Sequence, residues 1–138
     1  MSWDITADLE GTYGVLRLRL PSALARSVRE KEPVISLKAD HTAIFTDVPK
    51  FDGFGDELVC RLSGSANWKL SGLLNSGGSW SVEFQDYRPA LEVTKPDCNL
   101  KNTMWSVLVL SQHVPYRLYA TVGDPDSDTG VEYRRIAR

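Results

Sequence analysis

Apolar and polar residues alternate along most of this chain. Toward the end of residues 11–20 the alternation becomes strict, with Leu16, Leu18 and Leu20 on one face and Arg17 and Arg19 on the other. That period of two predicts a half-buried strand, which Pro21 stops. Residues 34–39 repeat the pattern with Ile35 and Leu37 on one face, and Asp40-His41 is a tight turn into a strand over 42–48. Over residues 57–63, Leu58, Cys60 and Leu62 oppose Val59 and Arg61, and Gly64 marks a bulge or bend before Trp68 and Leu70. After the turn Asn75-Ser76-Gly77-Gly78, Trp80, Val82 and Phe84 face away from Ser81, Glu83 and Gln85. Residues 103–110 are nearly all apolar, which predicts a strand covered on both sides or one forming the wall of a barrel. Tyr116, Leu118, Ala120 and Val122 alternate over 115–122, and residues 131–136 supply the last strand.

One segment has a helical period. Over residues 22–31, Ser22 is placed to cap a helix and Leu24 with Val28 gives an apolar pair four residues apart. Pro33 ends it. Residues 49–56 carry turn formers throughout and read as a loop. The stretch 86–102 is the least legible, and residues 90–93 there are a candidate ninth strand. About eight strands joined by short turns favour an antiparallel meander, and such a meander closes on itself to hide its edges. The predicted fold is therefore all-β: one domain over residues 1–138, a closed or nearly closed barrel with one short helix near residues 22–31.

Local motifs add a resemblance. Leu9-Glu10-Gly11-Thr12-Tyr13 opens the first strand, and Lys38-Ala39-Asp40-His41-Thr42-Ala43-Ile44-Phe45 forms a strand–turn–strand. Ser63-Gly64-Ser65-Ala66-Asn67-Trp68-Lys69-Leu70 places a tryptophan in mid-strand, and the last hairpin runs from Tyr116 to Tyr133. Together these resemble the small lipocalin-like, calycin-type barrel proteins, many of them bacterial. The resemblance spans most of the chain and implies a barrel able to hold a ligand. The chain departs from that pattern at Tyr13, where tryptophan is usual, at His41, where a turn glycine is usual, and in the insertion 22–31. No family binding residue carries over.

Composition narrows the partners. The 138 residues are 42% hydrophobic and 25% charged, which excludes general disorder. A net charge of −2 excludes the strongly basic surface typical of a nucleic-acid-binding domain. The opening residues lack the basic and apolar runs of an export signal, and no window is long enough to span a bilayer. These features predict a cytoplasmic protein with Cys60 and Cys98 as reduced thiols; a disulfide between them would require export.

Catalytic signals are missing. His41 falls in a turn and His113 in a hairpin loop, no nucleophile elbow is present, and no glycine-rich phosphate loop precedes a helix. Asp124, Asp126 and Asp128 have the spacing that opens a calcium loop. The glycine, however, comes one position late and Arg135 stands where a bidentate glutamate is needed, so the segment reads as a hairpin turn. The expectation is no enzyme, no metal and no cofactor. Trp3, Trp68, Trp80 and Trp105 fill a core or line a cavity.

The most suggestive surface is acidic. Residues 47–57 hold Asp47, Asp52, Asp56 and Glu57 against Lys50 alone, with Phe51 and Phe54 interleaved. In an eight-strand meander this connection shares an end with the one containing Asp124, Asp126 and Asp128; a ninth strand at 90–93 would separate them. The leading expectation is a non-enzymatic module that binds a protein through this rim, most concretely an immunity-type inhibitor of a basic toxin. The alternative is a carrier of a small hydrophobic ligand in the barrel interior, and a third reading is an enzyme with a cryptic site.

Overall fold

The computed structural model describes residues 5–52, 55, 57–71, 80–91, 98, 105–110, 115–123 and 128–137. In chain order the elements are α1 (Thr6–Leu9), β1 (Gly11–Arg19), α2 (Ser22–Arg29), β2 (Val34–Leu37), β3 (Thr42–Phe51), β4 (Leu58–Ser71), β5 (Ser81–Pro89), β6 (Trp105–Leu110), β7 (Arg117–Thr121) and β8 (Gly130–Ala137). Each strand pairs antiparallel with its sequence neighbour, and β1 pairs with β8, so the sheet closes. The fold is an all-β, eight-strand meander barrel with two short helices. Closure removes both sheet edges, which an open meander of this length would leave unpaired.

Where the alternation is strict, its apolar face is the interior. Ile35, Leu37, Val82, Phe84, Leu118 and Val122 are all buried. In β1 the register shifts between Val15 and Arg17, so Val15, Leu18 and Leu20 pack against the core and Leu16 drops out of the set. β6 is a wall of the barrel and not a strand covered on both sides: Val107 and Val109 are buried, but Leu108 is 39% exposed.

Bulges explain two misread boundaries. A loop is expected from residue 49, yet β3 continues through Pro49 to Phe51. Its pairing with β4 slips between Phe45 and Val48 and again between Lys50 and Phe51, and Asp47 adopts φ +51 at the first slip. Proline lacks an N–H and is tolerated beside such breaks in the ladder. Asp47 is therefore a strand residue in a bulge and not part of the loop. In β5, Asp86 takes φ +57 beside a register slip and accepts a hydrogen bond from Asn67 Nδ2 at 3.1 Å. The strand then runs on to Pro89. Ala90 and Leu91 form a bend, residues 92–93 lie outside the described residues, and β5 pairs directly with β6, so no strand is inserted between those two in the sheet. Gly64 is where β4 meets β5 most closely: a Cβ there would lie 2.1 Å from the Arg88 carbonyl oxygen.

The helices also differ from expectation. Ser22 is the first helical residue, Pro21 holds the N-cap, and no side chain caps the end. The fixed φ of proline makes it a good residue at a helix start. α2 stops at Arg29, short of residue 31, and Arg61 of β4 reaches the carbonyls at its end. Arg61 donates to the carbonyls of Ser27, Val28 and Lys31 and also to that of Asp47. Leu24 is half-buried and Val28 fully buried beneath the helix. α1 is too short to show a period in sequence; it brings Leu9 into the core, where the Leu9 carbonyl accepts the Tyr13 hydroxyl at 2.7 Å.

Cys60 and Cys98 are bonded to each other, which corrects the reduced-thiol expectation. The link ties the β5–β6 connection to β4. No helix among the described residues is long and apolar enough to cross a membrane.

Candidate functional site

Antiparallel pairing sends the β1–β2, β3–β4, β5–β6 and β7–β8 connections to one end of the barrel. The opposite end holds α1 and the β2–β3 turn, and it is plugged. Trp68 lies inside it and donates Nε1–H to the Lys38 carbonyl at 3.0 Å. His41 is in the turn, as expected, but it also stacks on Trp68 at a centroid distance of 5.1 Å, with Nδ1 3.1 Å from the Trp68 carbonyl. The Thr42 amide holds the Asp40 carboxyl below the usual carboxylate range. On the other flank the Arg135 guanidinium sits 5.8 Å from the Tyr13 ring centre and donates to the Asp8 carbonyl.

The connection end contains a pocket of about 220 Å³. Its wall is built from the end of β3 (Pro49 to Asp52), Trp105 at the start of β6, Ala120 to Gly123 at the end of β7, and Val131 with Tyr133 of β8. Trp105 joins it to an aromatic layer below. The ring stacks on Phe84 at 5.2 Å and meets Phe45 edge-on at 5.7 Å. Phe45 and Phe84 are themselves edge to face at 5.0 Å. The barrel is thus filled through its middle and hollow at its mouth.

One polar group in this wall stands out. Tyr133 is fully buried, and its hydroxyl has no hydrogen-bond partner among the described residues. Burial pushes that hydroxyl well above the usual tyrosine range, and the Arg61 charge offsets the shift only in part. Buried hydroxyls without partners are rare in native structures, because the lost hydration is not replaced. Tyr87 is buried too but exchanges two hydrogen bonds with the Ser63 backbone, at 3.1 and 3.2 Å.

The acidic residues singled out from sequence fall into several settings. Gly55 seats the β3–β4 connection on the β7–β8 connection: at φ +76, a Cβ there would lie 3.0 Å from Val122 Cγ1 and 3.1 Å from Gly123 Cα. The two connections therefore meet. Asp52 closes its own turn, accepting the Glu57 amide at Oδ1 (3.3 Å), while its N–H donates to the Glu57 carbonyl at 3.1 Å. Glu57 is exposed. Asp128 is ion-paired with Arg19 at 3.2 Å, and its carbonyl accepts the Tyr119 hydroxyl at 2.8 Å. Asp47 lies away from this rim in its bulge, its amide donating to Ser63 Oγ at 3.0 Å. Phe51 is half-buried and packs against the core, so it lines the pocket and is not a free anchor. Phe54, Asp56, Asp124 and Asp126 lie outside the described residues, as do His113, Trp3 and the turn at 75–78.

Sequence reasoning did not single out Trp105, Val131 and Tyr133 as a group. The strands that carry them were legible; their convergence depends on the meander order, which sets β6 and β8 either side of β7. Among the described residues no group of three His, Cys, Asp or Glu is placed to hold a metal ion. Comparisons with protein-family models, curated proteins and solved structures found no match. Fold and site define the class: an antiparallel meander barrel, plugged at one end and pocketed at the other.

Proposed function

We propose that the protein binds a small, largely apolar molecule in the mouth of its barrel. The carrying observation is the mainly apolar pocket lined by Phe51, Trp105, Val122, Val131 and Tyr133, the last with a buried hydroxyl that has no hydrogen-bond partner among the described residues. Binding sites of small molecules combine apolar walls with a few placed polar groups. A cavity of roughly 150 Å³ already accepts benzene, so a single ring with a short polar substituent suits this one. A ligand hydroxyl or carbonyl against Tyr133 would supply the missing partner. Calorimetric titration with phenethyl alcohol and with ethylbenzene tests this. Both should bind, Ala120→Phe should abolish binding by filling the pocket, and Tyr133→Phe should weaken only the alcohol, by about tenfold. Failure of the native protein to bind either probe would overturn the reading.

The second reading is an inhibitor that covers a basic toxin with its acidic rim. The contact of the two connections through Gly55 supports it. It ranks below the first because Asp52 is engaged in its turn, Asp128 is paired with Arg19, and Phe51 is packed inward. Unchanged affinity for a purified toxin after charge reversal of Asp52, Asp56, Asp124 and Asp126 would end it. Both readings are non-enzymatic. The disulfide favours an oxidising compartment over the cytoplasm, since stable disulfides are rare in reducing surroundings. Full alkylation of Cys60 and Cys98 in native protein without reductant would contradict that placement.

A further inference from the structure

We propose that the outer face of β7, β8 and β1 is a docking surface for an acidic polypeptide segment. This face lies outside the barrel wall and does not depend on the pocket. β8 runs between the other two strands, and the register brings four arginines together. Arg17 of β1 and Tyr119 of β7 both lie opposite Glu132, while Arg117 lies directly opposite Arg134. Like charges directly opposite one another destabilise a sheet. The Glu132 carboxylate is the near compensation, and it is already committed: Arg117 Nη1 holds it at 3.1 Å, and its side chain is only 3% exposed. Arg19 is used by Asp128. Arg17 and Arg134 are left exposed, with no ion-pair partner among the described residues. Among the described residues four arginines thus face two acids, a surplus of positive charge on a chain whose net charge is −2.

The rest of the face selects the occupant. Tyr119 is 8% exposed and its hydroxyl is engaged, so it supports Glu132 and offers no ring on which a base would stack. Across from it on β6, Leu108 is 39% exposed and gives the face an apolar margin. Arginines with an apolar border are the composition of protein-binding surfaces. The planar guanidinium fork is matched to carboxylates. A long duplex would need a more extended positive field than a chain of net negative charge provides.

Fluorescence anisotropy of the intact protein with labelled decaglutamate, and separately with a labelled DNA duplex, tests the proposal. Decaglutamate should bind and weaken as salt screens the contact. The double variant Arg17→Gln/Arg134→Gln should lose about tenfold or more in affinity at unchanged melting temperature, because neither arginine has an ion-pair partner among the described residues and glutamine places no like charge opposite Glu132. Ala120→Phe should leave this binding intact, separating it from the pocket. No binding of decaglutamate, equal binding by the double variant, or tighter binding of the duplex would each overturn it.

Discussion

Two buried tyrosines, close neighbours across the β1–β8 seam, serve the two ends of this barrel under different terms. At the plugged end the Tyr13 hydroxyl reaches the Leu9 carbonyl at 2.7 Å, beneath Arg135. At the mouth the Tyr133 hydroxyl is equally buried and meets no partner among the described residues. Trp68 and Trp105 repeat the contrast. Trp68 is 2% exposed with its indole N–H bonded to Lys38, while Trp105 is half-buried on the wall of the pocket. The plugged end is built for stability, and the mouth gives some stability up. An unpaired buried hydroxyl costs the folded state about 1–3 kcal/mol, a cost that a bound molecule with the right polar group removes.

The largest test of this contrast is truncation. Trp68→Ala should destabilise the protein by about 3–5 kcal/mol in urea unfolding. Phe51→Ala at the mouth should cost about half as much or less, since its ring is already partly exposed. Equal losses would mean that the two ends are packed alike. A smaller and sharper test removes single oxygens. Tyr13→Phe should cost about 1 kcal/mol by leaving the Leu9 carbonyl unpaired, whereas Tyr133→Phe should be neutral or stabilising by up to about 1 kcal/mol. A Tyr133→Phe variant as destabilised as Tyr13→Phe would erase the distinction. The smallest effect is a pH dependence. Tyr133 holds its proton more tightly when folded than its ordinary value of 10.0. Its contribution is therefore intact below pH 10 and falls as the pH rises above that value, because the unfolded chain releases the proton first. Tyr87 and Tyr119 shift in the same direction, chiefly through burial. Melting temperature should drop between pH 9.5 and 11 (about the tyrosine range), and less steeply in Tyr133→Phe.

The strand count, the meander and the inward faces were legible because a period of two survives in sequence wherever a strand is regular. Legibility failed at Asp47 and Asp86, where a positive φ inserts an extra residue and the period breaks. Asp47 falls both in the expected strand over 42–48 and in the acidic connection 47–57, and Asp86 in the least legible stretch; each lies within a continuing strand. The clasp on the end of α2 was hidden for another reason: Arg61, which donates to the Ser27 and Val28 carbonyls, lies more than thirty positions downstream in the chain. The acidic rim was half legible. Charge spacing located the residues, but the turn that engages Asp52 and the arginine that engages Asp128 are products of folding. The basic face was invisible, since its arginines come from the first strand and the last two, which meet only when the barrel closes.

The seam between β1 and β8 has a consequence for how this chain is made. Tyr13 pairs with Arg135, so the first strand finds one of its two neighbours only in the last. Ribosomal synthesis exposes β1 long before β8 emerges, and contacts this remote in sequence form slowly. Throughout that interval the first strand presents an open edge. A half-finished barrel can then be completed by the final strand of a neighbouring copy as readily as by its own, which makes strand exchange the characteristic folding hazard of this architecture.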